Sequence, residues 1–80
     1  MYGRAGCHLC TAAEAEVRRL ARWGRADVRV VDIDSDPGLA ARYAVRVPVV
    51  TVAGHEVAEL QVDPADVRAA LRTARRQRVG

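Results

Sequence analysis

The only two cysteines of this 80-residue chain lie two residues apart, in the segment Gly6-Cys7-His8-Leu9-Cys10. The segment opens a stretch with helical periodicity, and residues three apart on a helix share one face. Both sulfur atoms can therefore come close enough to form a disulfide. A cysteine that begins a helix faces unpaired backbone N–H groups and the positive end of the helix dipole, which stabilise its thiolate. The pattern predicts a nucleophilic thiol at Cys7.

The length and composition predict one globular domain that spans residues 1–80. Hydrophobic residues make up 50% of the chain but include no Phe, so the core must be built from small aliphatic side chains. A net charge of +3 comes from 13 arginines, with no lysine, against 10 acids. Because aromatic residues for base stacking are scarce, we expect no nucleic-acid partner.

The distribution of apolar residues bears on the cellular compartment. No apolar run has the length of a signal peptide or of a membrane span, so we expect a cytoplasmic protein that does not associate with a membrane. In that reducing compartment a structural disulfide is rare, and a Cys-X-X-Cys pair is more often catalytic or metal-binding. Compartment and cysteine spacing thus favour a functional dithiol.

Periodicity and capping residues predict an α/β fold in the first half of the chain. We expect a helix over residues 8–23 and a strand, covered on both faces, over residues 27–33. Asp36-Pro37 has the residue types that open a short second helix. Residues 1–5 are too few for a full strand plus the loop that presents Cys7, so a strand ahead of the first helix is expected to be truncated or missing.

The second half of the chain is predicted to form a hairpin and a helix. Strands are expected at residues 49–53 and 56–60, joined by a tight turn. Asp63-Pro64 supplies a cap and a first-turn proline for the last helix, which is expected to fray after Thr73. The complete order is helix, strand, helix, strand, strand, helix.

Three segments make the chain resemble a glutaredoxin-like protein of the thioredoxin superfamily over nearly its whole length. They are the Cys-X-X-Cys segment, Val31-Asp32-Ile33-Asp34 at the end of a strand, and Arg46-Val47-Pro48 before another strand. The resemblance implies a thioredoxin-like fold, with a mixed sheet flanked by helices and a first strand that is central in the sheet. The few residues before Cys7 mean that this strand is expected to be truncated or missing here. The resemblance also implies that Pro48 is cis and that the backbone of Val47 hydrogen-bonds an extended thiol substrate.

The resemblance extends to Arg4, which stands three residues before Cys7. Glutaredoxins often carry a lysine there that contacts the glutathione carboxylate and favours the thiolate, and an arginine can do the same. Two departures weigh against glutathione specificity. The usual Cys-Pro-Tyr-Cys is Cys-His-Leu-Cys here, and the glycine pair and acid that grip glutathione are replaced by the sequence at residues 58–63.

The predicted activity is thiol–disulfide exchange. Cys7 would attack a substrate disulfide, and Cys10, one turn further in and more buried, would resolve the mixed disulfide. A protonated His8 would stabilise the Cys7 thiolate further, although an exposed residue without a role is an equal alternative. The expected partners are a low-molecular-weight thiol or protein disulfide and a reductase. We expect a monomer that needs no cofactor.

Metal binding by a redox-inactive module is the alternative function. Cys7, His8, Cys10 and His55 are the available soft ligands, and four such groups would suit zinc. No second Cys-X-X-Cys is present to complete a standard site, so we expect no metal site. An iron–sulfur cluster shared between two chains through Cys7 is a further alternative that no residue selects for.

Overall fold

A four-stranded mixed sheet carries the helices in the computed structural model, which describes residues 1–79. The strands are β1 (Tyr2–Gly3), β2 (Val31–Asp32), β3 (Val49–Val52) and β4 (His55–Glu59). They lie in the order β2-β1-β3-β4. β1 is parallel to β2 and antiparallel to β3, and β3 forms an antiparallel hairpin with β4. The predicted mixed α/β architecture is confirmed.

The first strand is short and lies inside the sheet. Tyr2 is in register with Val31 on one side and with Val49 on the other. β1 therefore joins the parallel and the antiparallel halves of the sheet, although it has only 2 residues. Of the two forms that the sequence suggested, the structure has the truncated strand and not the missing one.

The strand predicted over residues 27–33 is much shorter in the structure. A strand extends only as far as its neighbour can pair with it, and β1 supplies just two residues. Pairing continues through Met1, whose amino group donates to the Arg29 carbonyl and whose carbonyl accepts from the Val31 N–H, both at 2.8 Å. The chain then turns at Ile33–Ser35, a short 3-10 helix.

Three α-helices complete the fold: α1 (His8–Gly24), α2 (Pro37–Tyr43) and α3 (Pro64–Val79). As predicted, α2 begins after Asp36, whose carboxylate accepts hydrogen bonds from the N–H groups of Gly38 and Leu39. The proline at its first position lacks only an N–H that would have no partner inside the helix. The expected fraying after Thr73 is wrong, because α3 continues to Val79.

The core lies on both faces of the sheet. Neighbouring residues of a strand point to opposite faces, and β3 supplies Val49 to one face and Val50 to the other. One cluster joins Val50 to buried residues of α1 and α3, among them Leu20 and Val67. A second cluster joins Val49 to Ile33 and to Tyr43 of α2. The sheet is thus covered on both sides, mainly by small aliphatic side chains, as the composition predicted.

Candidate active site

The two cysteines form a disulfide at the start of α1, with 5.2 Å between their Cα atoms. Cys7 is the N-cap of the helix, and its sulfur accepts a hydrogen bond from the Cys10 N–H at 3.1 Å. Cys7 is half-buried, whereas Cys10 is only 6% exposed. This is the order of exposure that the sequence suggested. Cys7 is therefore the more exposed of the two cysteines.

Two glycines precede the dithiol in the segment between β1 and α1, counting Gly3 at the end of β1. Gly6 has a φ of +74°, a left-handed conformation that costs glycine little and most residues more. Gly3 of β1 lies against Cys10, since a Cβ atom at Gly3 would be 3.5 Å from the Cys10 Cβ. The central strand therefore backs the inner cysteine. Neither glycine was assigned a role from the sequence.

The loop between α2 and β3 packs against the same core cluster as Cys7. Val47 and Cys7 are both partly buried and pack against the cluster that contains Val50. The Val47–Pro48 peptide bond is cis, and the Pro48 side chain is fully buried. The Pro48 carbonyl accepts a hydrogen bond from the Leu60 N–H at 2.9 Å, which ties the loop to the end of β4.

Arg46 fastens the same loop to β4 through its side chain. Its Nε donates to Glu59 at 2.7 Å, and its Nη2 donates to Glu56. Its hydrogen bonds to the Glu59 and Glu56 carboxylates raise the pKa of the Arg46 guanidinium above its usual range. The guanidinium also lies 5.4 Å from the centre of the Tyr43 ring. Sequence reasoning missed this ionic contact, because its partners are separated along the chain.

Arg4, the expected contact for a substrate carboxylate, is engaged within the protein. Its Nε and Nη2 atoms each donate to one carboxylate oxygen of Asp34, both at 3.0 Å. These hydrogen bonds lower the pKa of the Asp34 carboxyl and raise that of Arg4. Both side chains are substantially exposed, at 36% and 52%. A substrate carboxylate would have to compete with Asp34 for this guanidinium.

The remaining candidate ligands do not assemble. His8 is exposed at the first position of α1, while His55 begins β4. Within residues 1–79 no three His, Cys, Asp or Glu side chains are grouped so as to hold a metal ion. The four soft ligands considered from the sequence are thus not brought together in one cluster within the described residues.

A shallow groove lies between α1 and the segment that follows β4, and it was not anticipated from the sequence. It has a volume of 190 Å³ and is formed by Leu9, Ala12, Ala13 and Glu16 of α1 together with residues 60–62. Leu9, from the Cys-X-X-Cys segment, is 50% exposed, and Leu60 is 46% exposed. We call this feature the Leu9–Leu60 groove. The one sequence signal for it is the apolar pair Leu60 and Val62, which interrupts a polar segment.

None of the helices within residues 1–79 has both the length and the apolar character needed to cross a bilayer.

The sheet, its flanking helices and the dithiol at a helix start define a thioredoxin-like α/β protein of glutaredoxin type. More narrowly, the chain belongs to the family described as Glutaredoxin-like domain (DUF836), whose model matches residues 1–72. The resemblance inferred from the three sequence segments is thereby confirmed.

Similar proteins are known from bacteria. An X-ray structure of a structural genomics target protein from X. campestris is 33% identical in sequence, with a TM-score of 0.63. The match covers 91% of this chain and 93% of that one. Uncharacterized proteins of Mycobacterium bovis and Mycobacterium tuberculosis are 32% identical over 71 residues, covering 82% of this chain and 73% of theirs.

Proposed function

We propose that the protein is a thiol–disulfide oxidoreductase in which Cys7 is the nucleophile and Cys10 the resolving thiol. The observation that carries the proposal is the hydrogen bond from the Cys10 N–H to the Cys7 sulfur at the N-cap of α1. A donor and a helix dipole directed at one sulfur stabilise negative charge there. Membership of the glutaredoxin-like family supports the same chemistry.

The reaction begins with the reduced dithiol. The Cys7 thiolate attacks one sulfur of a substrate disulfide, a bond forms between Cys7 and that sulfur, and the other substrate sulfur leaves as a thiolate. Cys10 then loses its proton and attacks Cys7, which releases the second substrate thiolate and forms the Cys7–Cys10 disulfide. The substrate gains two electrons and two protons, and the protein dithiol loses them.

Four further residues are proposed to serve the substrate. The backbone of Val47, beside Pro48, would pair with an extended substrate chain, since no hydrogen bond to another backbone group involves Val47 among the described residues. Arg4 and His8 flank Cys7 in sequence and would act electrostatically, Arg4 only after exchanging Asp34 for a substrate acid.

The regenerating reductant is proposed to be a low-molecular-weight thiol or a reductase. Either would reduce the Cys7–Cys10 disulfide by the reverse exchange, which needs no bound cofactor. A reducing compartment such as the cytoplasm would supply both. We propose that the protein acts there as a monomer.

Reaction of the reduced protein with bis(2-hydroxyethyl) disulfide tests the proposal. The wild type should consume one disulfide and release two molecules of 2-mercaptoethanol as the intramolecular disulfide forms. Cys7→Ser should react far more slowly, because the remaining thiol is buried. A wild-type protein that does not react at neutral pH would reject the oxidoreductase function and leave the redox-inactive module.

A further inference from the structure

We propose that a basic face formed by α1 and α3, far from the dithiol, docks an acidic segment of a partner protein. Its side chains are exposed or partly exposed, and we call it the Trp23–Arg72 face. Its members are Arg19 and Trp23 of α1 with Arg68, Arg72, Arg75 and Arg76 of α3. The inference goes beyond the proposed oxidoreductase function and does not depend on it.

The packing of the two helices brings these side chains into one surface. Arg68 and Arg72 are one turn apart on α3 and therefore lie on the same side of that helix. The helices meet closely where α1 ends, since a Cβ atom at Gly24 would be 3.0 Å from the Leu71 side chain. The guanidinium carbon of Arg72 accordingly lies 6.0 Å from the centre of the Trp23 ring. The arginine row of α3 thus runs beside the exposed indole of α1.

Positive charge dominates the Trp23–Arg72 face. Arg75 and Arg76 lie one turn beyond Arg72 and are exposed. Glu16 is one turn before Arg19 on α1, and Arg19 already holds its carboxylate with two hydrogen bonds, at 3.1 and 2.6 Å. Among the side chains that the structure describes, the three exposed α3 arginines form no ion pair. Like charges one turn apart repel each other, and an acidic partner would relieve that repulsion.

The exposure of Trp23 is a second observation. Trp23 is the only tryptophan of the chain, and it is 51% exposed although the core is built from small aliphatic side chains. Tryptophan and arginine are the residue types most enriched at the energetic centres of protein interfaces. A partner that covers Trp23 removes its exposed ring from water. The neighbouring guanidinium groups can each bind a carboxylate through two hydrogen bonds, as Arg4 binds Asp34.

The composition of the face favours a protein over other anionic partners. Single-stranded nucleic acids stack successive bases on successive aromatic rings, and this face has one ring. The two tyrosines of the chain, Tyr2 and Tyr43, stack on each other elsewhere, with ring centres 4.7 Å apart. A helix that binds a membrane surface needs a row of large apolar side chains, of which the face again has one. Carboxylates carried by a protein segment match both the arginines and the single indole.

The position of the face keeps docking separate from the thiol chemistry. Cys7 is the N-cap of α1, and Trp23 is the residue before its end. These positions are about 24 Å apart along the helix axis, at about 1.5 Å per residue. A partner docked at the Trp23–Arg72 face therefore leaves Cys7 accessible. Cys7→Ser should bind the partner as the wild type does.

The fluorescence of Trp23 tests the proposal, because the chain has no other tryptophan. The probe is a blocked decapeptide that alternates glutamate with alanine, and the control peptide carries glutamine in place of glutamate. The glutamate peptide should cause a saturable change in the Trp23 emission. Its binding should weaken as salt is added, because salt screens exposed charges. The glutamine peptide should cause no saturable change.

Variants with a single charge removed locate the binding. Arg72→Gln should raise the Kd of the glutamate peptide about threefold, and the double variant with Arg75→Gln should raise it about tenfold, as expected for exposed ion pairs. The matched control Arg42→Gln removes the same charge from α2 on the other face of the sheet, and should change the Kd by less than about twofold. Trp23→Ala, followed through a fluorescent label on the peptide, should raise it about fivefold or more.

Four results would overturn the proposal. One is the absence of a saturable change with the glutamate peptide, or an equal change with the glutamine peptide. Another is an equal loss of binding in Arg42→Gln and Arg72→Gln, which would assign the binding to net charge. Tighter binding of oligothymidylate or of phosphatidylglycerol vesicles would assign the face to a nucleic acid or to a membrane. Loss of binding in Cys7→Ser would place the peptide at the dithiol. The first three results would leave the oxidoreductase function standing.

Discussion

Reduction of the Cys7–Cys10 disulfide is expected to leave a Cys7 thiolate that is unusually stable. The Cys10 N–H lies 3.1 Å from the Cys7 sulfur, and a hydrogen bond to a charged group contributes about 1.5–3 kcal/mol. The dipole at the first turn of α1 adds about 0.3–1 kcal/mol. Half-burial of Cys7 opposes both effects by desolvation. Allowing for that cost, we expect the thiolate to be favoured by about 2 kcal/mol.

A stabilisation of about 2 kcal/mol raises the ionisation constant of the thiol about thirtyfold. A thiol with the ordinary pKa of about 8.5 is about 3% ionised at pH 7, so Cys7 should be about half ionised there. The assay is the ultraviolet absorbance of the thiolate of Cys10→Ser as a function of pH. Cys7→Ser is the matched control, and its buried Cys10 should ionise at higher pH than an ordinary thiol.

Two results would refute this reasoning. One is ionisation of Cys10→Ser at the pH of an ordinary thiol, and the other is ionisation of Cys10 at lower pH than Cys7. A third variant, His8→Ala, distinguishes the effect of the histidine on the ionisation of Cys7 from the effect of the helix N-terminus. If Cys7 ionises at the same pH in this variant, the peptide N–H and the dipole account for the stabilisation, and His8 has no electrostatic role.

Two further predictions concern stability, measured by urea unfolding. Leu20→Ala, at a side chain that is 1% exposed, should lower the free energy of unfolding by about 3 kcal/mol. The control Val45→Ala, at 87% exposure, should change it by less than about 0.5 kcal/mol, and similar losses would contradict the assigned core. Arg4 lowers the pKa of the Asp34 carboxyl by hydrogen bonding. Their contact therefore stabilises the fold fully at pH values above the pKa that this carboxyl has in the unfolded chain. The stabilisation is lost as the pH falls through the lower pKa of the folded state. The stability advantage over Asp34→Asn should therefore hold at neutral pH and shrink below about pH 4, and an advantage that grows in acid would contradict the ion pair.

Local signals in the sequence predicted the parts of the site that depend on neighbouring residues. The spacing of Cys7 and Cys10 at the start of an amphipathic stretch indicated a dithiol at a helix N-terminus, and α1 begins at His8. Asp36-Pro37 likewise predicted the start of α2. Capping and helical periodicity act within one or two turns, so a short segment contains the information that they need.

Features that depend on distant partners were not predictable in this way. The strand expected over residues 27–33 is limited by the two residues of β1, which pair with it across the sheet. Arg4 meets Asp34 across 30 positions of sequence, and nothing in either segment specifies that contact. The left-handed conformation of Leu60 is set by how the chain leaves β4, and leucine gives no local signal for it.

Trapping of the mixed disulfide tests the central claim most directly. Cys10→Ser and Cys7→Ser are each incubated with bis(2-hydroxyethyl) disulfide at neutral pH, and the protein mass is measured over time. Cys10→Ser should rapidly gain one 2-mercaptoethanol adduct at Cys7 and retain it, whereas Cys7→Ser should stay unmodified over the same period. Equal modification of the two variants, or faster modification of Cys7→Ser, would contradict the assignment of Cys7 as the nucleophile.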